Sequence, residues 1–149
     1  MRALIPLLML TLLARLAPPA SAQTEPSAEA AFAQLTRAGS PVAAYIDSSR
    51  AIAYTSSTDP DRLLGRPGLY VGKVVWVDTR VAPAGGSLEV FRTLTDVVAR
   101  VAHLHQAAGR SEYLFTSGST LLRLTTALPP AAAEDYATAL GARAPSVSQ

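Results

Sequence analysis

The sequence contains no cysteine and no asparagine, and each absence excludes a class of chemistry. A chain without cysteine forms no disulfide framework, has no thiol nucleophile and offers no acyl-cysteine lipid anchor. A chain without asparagine carries no N-linked glycosylation site. The two histidines, His103 and His105, are two positions apart on a predicted helix, so they project about 200° apart and cannot share one metal ion. We therefore expect no metal site and no cofactor.

There is also little excess of charge of either sign. The chain has 13 basic residues, of which Lys73 is the single lysine, and 11 acidic residues. Arg2 and Arg15 lie in the segment 1–22, so the rest of the chain has 11 basic residues against 11 acidic residues. Nucleic-acid binding needs clustered lysine and arginine against the phosphates. We therefore expect no nucleic-acid partner.

The segment 1–22 has the pattern of a secretory signal peptide. Arg2 precedes an apolar run from Ala3 to Ala14, and Ala20-Ser21-Ala22 fits the small-residue cleavage pattern. The run is shorter than the roughly 20 apolar residues that cross a bilayer, so no stable membrane span is expected after cleavage. The alternative is an uncleaved membrane anchor. With cleavage after Ala22, the protein is predicted to be secreted or periplasmic.

The rest of the chain is predicted to be a short polar lead at 23–26, a single α+β domain at 27–141 and a flexible tail at 142–149. Apolar residues at helical spacing predict helices, and runs of β-branched and aromatic residues between turn formers predict strands. The expected fold is α+β, with an antiparallel sheet of about 4–5 strands and helices packed on one face.

Two of the predicted helices have clear start signals. Ser27 is a predicted N-cap, and Thr93 with Asp96 three residues later resembles a capping box. The helix after Thr93 is predicted to bury one apolar stripe, formed by Leu94, Val97, Val98, Val101, Leu104 and Ala108. Earlier in the chain, the polar run Asp47–Arg50 predicts a turn, and 51–56 predicts a strand.

The segment 55–80 combines turn formers, charges and a strong strand. Asp59-Pro60-Asp61-Arg62 and Gly65-Arg66-Pro67-Gly68 enclose two leucines and lead into the predicted strand 70–78. Arginine and aromatic residues favour contact surfaces, so this loop can receive an acidic or aromatic group. The candidate ligand- or partner-binding residues are Asp59, Arg62, Arg66, Tyr70 and Lys73.

Two binding motifs are incomplete in this segment. Asp59 and Asp61 are spaced like calcium ligands, but Leu63 occupies the third ligand position. From Gly68 to Lys73, three residues separate the glycines where a P-loop has four, and a strand rather than a helix follows. Neither pattern predicts a site.

The same segment is part of a longer pattern of matching motifs. The pattern reads YT-x-x-TDP-x-x-LLGRPG-x-Y-x-x-KV, followed by an E-V-F strand and a Y-x-x-x-SG-x-x-LLR hairpin. The matching residues are Tyr54-Thr55, Thr58-Asp59-Pro60, Leu63-Leu64-Gly65-Arg66-Pro67-Gly68, Tyr70, Lys73-Val74, Glu89-Val90-Phe91, Tyr113, Ser117-Gly118 and Leu121-Leu122-Arg123. In these motifs the chain resembles a family of small, uncharacterised exported bacterial proteins, many of them lipoproteins. It departs from them in lacking the lipobox cysteine and in placing Asp61 where asparagine is common. The resemblance implies export and brings no activity with it.

These observations favour an exported, non-enzymatic binding or accessory module of the cell envelope or extracellular space, whose partner is a protein or small ligand. The alternative is a small hydrolase that uses carboxylates of the 58–78 region. For this, Asp59, Asp61, Asp78 and Glu89 would have to converge in space. A third hypothesis is a purely structural role, in which the 58–68 loop contacts no partner.

Overall fold

The computed structural model describes residues 27–52, 68–107 and 111–145. Within these residues the chain forms three α-helices and five strands. The helices are α1 (Ala28–Thr36), α2 (Leu94–Gln106) and α3 (Pro130–Leu140). The strands are β1 (Ile46–Ala51), β2 (Gly72–Asp78), β3 (Gly85–Val90), β4 (Glu112–Ser117) and β5 (Thr120–Thr125).

The strands form one sheet in the order β1-β2-β3-β5-β4, and every neighbouring pair is antiparallel. β2 and β3 form one hairpin, β4 and β5 form a second, and the connection between the hairpins contains α2. The predicted α+β class and the antiparallel sheet are therefore confirmed. β3 lies at the centre of the sheet, which gives its side chains neighbours on both sides.

One face of the sheet carries the larger apolar core, and we call it the first face. Val74, Trp76 and Leu88 point to it and are buried under α1 and α3. The Trp76 ring lies between Phe32 of α1, with ring centroids 5.4 Å apart, and Tyr136 of α3, at 5.6 Å. These aromatic contacts join the first and last helices of the domain to β2.

The other side of the sheet, the second face, carries a smaller apolar core under α2. Val97, Val101 and Leu104 of α2 cluster there with Phe91 and Leu121. Successive residues of a strand point to opposite faces, and Leu121 is flanked in β5 by Leu122, which belongs to the first-face core. The predicted packing on one face therefore describes α1 and α3, whereas α2 covers part of the second face.

The buried side of α2 differs from the predicted stripe. Leu94 and Val98 are 63% and 62% exposed, so their predicted burial is wrong. Arg100, which the apolar pattern leaves out, is fully buried because it forms an ion pair with Glu89 of β3. The helix therefore turns a charged residue toward the sheet, and a search for apolar periodicity alone misses this orientation. Ala108 lies outside the described residues.

The helix boundaries follow the predicted local signals. Ser27 Oγ accepts a hydrogen bond from the Ala30 N–H at 3.1 Å, and Thr93 Oγ1 accepts one from the Asp96 N–H at 3.2 Å. Each cap satisfies one of the backbone donors that a helix start leaves unpaired. At the other end of the domain, Gly141 terminates α3 at a φ of 61°, a left-handed conformation that glycine adopts without steric penalty.

The polar run Asp47–Arg50 is part of β1, and the turn predicted there is wrong. β1 pairs with β2 from Ile46 opposite Asp78 to Ala51 opposite Val74, with a register irregularity after Ile46. Polar residues favour turns locally, but pairing with β2 holds them in an edge strand whose side chains face solvent. Of the predicted strand 51–56, Ala51 ends β1, and residues from 53 onward lie outside the described part.

Two further segments are described only in part. Of the predicted loop 58–68, Gly68 is described, and it packs so closely on α2 that a Cβ there would lie 3.2 Å from the Arg100 backbone nitrogen. Of the predicted tail 142–149, residues 142–145 are described. Arg143 exchanges two backbone hydrogen bonds with Thr116 of β4, at 2.7 and 2.9 Å, and so closes that edge of the sheet.

Candidate functional site

Glu89 of β3 is the centre of a buried ion cluster on the second face. Its Oε2 accepts a hydrogen bond from Arg100 Nε at 2.8 Å, and its Oε1 accepts one from Arg123 Nη1 at 2.8 Å. The Lys73 ammonium of β2 donates to the same Oε1 at 3.0 Å. Glu89 is fully buried, so three cations from α2, β5 and β2 converge on one carboxylate inside the protein.

The sheet register explains why these charges meet. Lys73 lies directly opposite Glu89 in the β2–β3 pair, and Leu121 lies opposite Glu89 in the β3–β5 pair. Arg123 is two residues along β5 from Leu121 and therefore points to the same face. α2 crosses above and supplies Arg100. The cluster thus depends on the pairing of β2 with β3, the pairing of β3 with β5 and the packing of α2 on the sheet, all between separate segments of the chain.

Glu112 of β4 extends the cluster toward the edge of the sheet. Arg123 donates to it from Nε and Nη2, both at 3.0 Å, while its Nη1 remains on Glu89. This two-pronged geometry is the strong form of an arginine–carboxylate pair. We call the five residues Lys73, Glu89, Arg100, Glu112 and Arg123 the ion cluster.

The ion cluster controls the ionisation of Glu89. Burial alone would raise the pKa of this carboxyl, but the hydrogen bond from Arg100 and the positive charges of Arg123 and Lys73 outweigh burial. The pKa of Glu89 is lowered to about 2. Glu89 therefore stays ionised at neutral pH and holds the cations in place.

Beside the ion cluster, no described helix covers the second face, because α2 packs on the end of the sheet near Phe91 and Leu121. Two adjoining depressions, of about 330 and 400 Å³, share Val75 and together form what we call the groove. The side toward β5 is lined by polar residues that include Lys73, Ser87, Glu112, Arg123 and Thr125. The side toward β1 is lined by Ser48, Arg50, Val77 and Pro83.

Three cations border the groove, two of them paired with carboxylates and one unpaired among the described residues. The side chains of Lys73 and Arg123 are only 11% and 5% exposed and are fixed by their carboxylate partners. Arg50, opposite Val75 in the β1–β2 pair, is exposed and has no ion-pair partner among the described residues. Arginine and lysine bind carboxylate and phosphate groups through charge-assisted hydrogen bonds. The groove therefore has the chemistry to receive an anionic group.

A second buried polar network lies on the first face. Tyr136 Oη accepts a hydrogen bond from Trp76 Nε1 at 3.2 Å and donates one to Asp78 Oδ2 at 2.9 Å. Asp78 also accepts from Arg80 at both of its oxygens, and the Arg80 guanidinium stacks on the Tyr45 ring at 3.9 Å. The buried polar side chains of this network, Trp76, Asp78 and Tyr136, all have hydrogen-bond partners, which is typical of a structural network.

The network shifts the pKa values of two of its members. Burial opposes ionisation of Asp78, but the hydrogen bonds from Arg80 and Tyr136 prevail and lower the pKa of Asp78. Burial and the hydrogen bond to Asp78 both raise the pKa of Tyr136. Asp78 is therefore ionised and Tyr136 neutral at physiological pH, as the hydrogen-bond directions require.

The predicted site residues are distributed differently from the expectation. Asp59, Arg62 and Arg66 lie outside the described residues. Tyr70 is 5% exposed and packs in the α2 core, where its ring meets Phe91 edge-on at 6.3 Å between centroids. Lys73 borders the groove with its ammonium 5.3 Å from the centre of the Tyr70 ring. The Tyr70 ring is therefore within cation–π distance of Lys73, and Lys73 lines the groove.

The carboxylates proposed for a hydrolase do not converge within the described part of the chain. Asp78 is on the first face with Tyr136, whereas Glu89 is on the second face with Arg100. Asp59 and Asp61 lie outside the described residues. Across 27–52, 68–107 and 111–145, no three histidine or carboxylate side chains lie close enough to hold a metal ion. Over the same ranges, no helix has the length and apolar character that a bilayer crossing requires.

Sequence reasoning missed Arg50, Arg100, Glu112 and Arg123. One signal was present for Glu89 and Arg123, because each is a charged residue between two apolar residues of a predicted strand. Such a position places a charge on the face opposite the apolar core, where it needs a partner if a helix covers it. The sequence did not predict which residues pair with Glu89 and Arg123, because these pairs depend on the strand order.

The groove and the ion cluster are the features of the described residues from which we infer a function. In comparisons with known proteins, no family model, no curated protein and no solved structure matches this chain.

Proposed function

We propose that this chain is an exported, non-enzymatic binding module of the cell envelope or the extracellular space. The signal-peptide pattern of residues 1–22 motivates export. The contact surface in this proposal is the groove of the second face, and the partner contributes an anionic group.

The observation that carries the proposal is the arrangement of cations around the groove. Lys73 and Arg123 are held by the buried carboxylate of Glu89, and Arg123 also by the half-buried Glu112, so binding does not have to order their side chains. Side chains that are already ordered lose less conformational entropy on binding than mobile ones. Arg50 adds an exposed charge at the β1 side, and Val75 and Val77 provide an apolar strip between the charges. Fixed charge next to apolar surface suits an anionic partner with an apolar part.

The described carboxylates are poorly suited to acid–base catalysis. A general acid or base works best when its pKa is near the operating pH. The pKa of Glu89 is about 2, and the pKa of Asp78 is also lowered. These two carboxylates point to opposite faces of the sheet, so they cannot act on one substrate. We therefore favour binding over the hydrolase hypothesis.

Co-purification tests the proposal. A tagged form of the full chain is expressed in the source organism, recovered from envelope and external fractions, and its co-purified proteins are identified by mass spectrometry. We expect a reproducible partner that Arg50→Glu loses, because the substitution reverses the exposed charge beside the groove. The recovered chain should begin at Gln23, which intact mass measurement shows.

Arg37→Glu is the matched control, because Arg37 is also exposed but follows α1, which packs on the first face. This variant should retain the partner. If both variants retain it, the groove is not the contact surface. If the chain keeps residues 1–22 and stays inside the cell, the export part of the proposal is wrong.

A further inference from the structure

β1 is an edge strand whose outer side is open among the described residues. The Ile52 N–H donates to the Lys73 carbonyl of β2 at 2.9 Å, so the backbone groups of Ile52 point toward β2. In an antiparallel pair this bonding alternates, so Ser48 and Arg50 also direct their backbone groups toward β2. Ser49 and Ala51 therefore direct their N–H and C=O groups away from the sheet.

The strand at the opposite edge of the sheet, β4, has a backbone hydrogen-bond partner on its outer side. At β4 the outward backbone groups of Thr116 are taken up by Arg143. Along β1, no backbone hydrogen bond outside the sheet joins Ser49 or Ala51 to another described residue. A row of unpaired backbone groups is a template for pairing with another extended chain. β1 thus has the geometry of a docking edge.

On the second face β1 presents Ser48 and Arg50, opposite Val77 and Val75 of β2, and Arg50 indicates the charge of the partner. Arg50 points to the second face beside the groove, is exposed, and has no ion-pair partner within the described ranges. Lys73 is two residues along β2 from Val75, the residue opposite Arg50, and therefore points to the same face. A strand added to β1 would place every second side chain on the second face next to Arg50, whereas Lys73 lies one strand further away on β2. Acidic side chains at those positions would form the complementary pairs.

A second copy of this chain fits the edge less well. If two β1 strands paired about a two-fold axis perpendicular to the sheet, only residues that share a face could stand opposite each other. With hydrogen bonds carried by Ser49 and Ala51, Arg50 would then face Ser48, Arg50 or Ile52 of the second copy. None of these registers offers a carboxylate to Arg50, and like charges directly opposite are destabilising. The charge pattern therefore favours a different, acidic strand.

We infer that β1 binds an extended acidic segment of another protein, which adds to the sheet as a further strand and places alternate carboxylates beside Arg50 and the groove. This inference rests on the proposed function and specifies its partner. The backbone of Ser49 and Ala51 supplies the hydrogen bonds, and Arg50 supplies the preference for acidic side chains.

Selection from a randomised peptide library against the full chain tests this inference. We expect enriched peptides to carry aspartate or glutamate at alternate positions. Their affinity, measured by fluorescence anisotropy with the synthesised peptide, should fall by about tenfold or more in Ser49→Pro. Proline removes the outward N–H, and its ring occupies the edge, while an edge strand tolerates it where the N–H faces solvent.

Ser49→Ala is the matched control, because it alters the side chain and keeps the backbone donor, so it should bind like the original chain. Far-UV circular dichroism should show the same fold for both variants.

Equal binding by Ser49→Pro would overturn strand addition, and a selection without acidic enrichment would overturn the partner class. A dimer in analytical ultracentrifugation that Ser49→Pro dissociates would assign the edge to a second copy instead. Loss of the co-purified partner in Arg50→Glu alongside unchanged binding in Ser49→Pro would retain the proposed function and reject this inference.

Discussion

At the scale of single residues, Glu89 has the largest influence on the second face. It compensates the charges of Lys73, Arg100 and Arg123 in a site with almost no solvent exposure. Removing one partner from a buried ion pair leaves an uncompensated charge, which costs about 3–5 kcal/mol. The same residue keeps two groove cations in fixed positions, so it links stability to the proposed binding surface.

We expect Glu89→Gln to lower the free energy of unfolding at neutral pH by about 3–5 kcal/mol. The pKa of Glu89 falls from an ordinary value of 4.5 to about 2 on folding, so its stabilisation is fully present above pH 4.5 and is lost as the pH falls toward 2. Urea titrations at several pH values should therefore show a smaller loss of stability on acidification in Glu89→Gln than in the original chain.

Glu134→Gln is the control for this prediction. Glu134 is exposed on α3, and an exposed substitution of this kind changes the free energy of unfolding by less than about 0.5 kcal/mol. Its acid dependence should match that of the original chain. Equal stability of Glu89→Gln and Glu134→Gln would show that the ion cluster does not stabilise the fold.

At the scale of secondary-structure elements, β3 depends on a glycine beneath the tryptophan of β2. Gly86 pairs with Trp76 on one side and with Leu124 on the other. A Cβ at position 86 would lie 2.5 Å from Trp76 Cζ2 and 2.6 Å from Leu124 Cδ2. The absence of a side chain at Gly86 therefore leaves room for the indole ring of Trp76 and the side chain of Leu124 over the central strand.

We expect Gly86→Ala to destabilise the protein by about 1–3 kcal/mol, because the added methyl group overpacks the first-face core. Thermal denaturation should show a lower melting temperature, and the fluorescence of Trp76 should shift as its ring is displaced. Ser87→Ala, at the next position and on the second face, should leave the fluorescence unchanged. An unaltered melting temperature in Gly86→Ala would mean that the core has room for the methyl group.

At the scale of the whole molecule, one sheet connects two cores of different character. The first-face core under α1 and α3 is larger and apolar, whereas the second face combines a small apolar core with the ion cluster. Both cores depend on the same strands, since neighbouring residues of β3 and β5 contribute to opposite faces. Loss of the sheet therefore removes both cores together.

We expect equilibrium unfolding in urea to be a single transition. Fluorescence of the one tryptophan, Trp76, reports the first face, and far-UV circular dichroism reports all helices. The two curves should have the same midpoint, as a two-state transition requires. Glu89→Gln should shift both midpoints equally although it lies on the other face. A loss of helical signal before the fluorescence change would instead show that α2 unfolds separately.

Sequence signals near each element predicted much of the fold. The caps at Ser27 and Thr93 and the α+β class depend on residues within a few positions of each other, so local propensity and spacing determine them. The same local signals also indicated Lys73 as a candidate contact residue, and the structure places it at the groove.

Only the tertiary structure decided the features on which the candidate site depends. Glu89 meets Arg100 and Arg123, which are 11 and 34 positions away, because the strand order brings β3 beside β5 and α2 above both. Asp47–Arg50 became a strand because β2 pairs with it, although its composition favours a turn. Composition and spacing describe neighbours along the chain, whereas these contacts arise between segments that become neighbours only when the sheet forms.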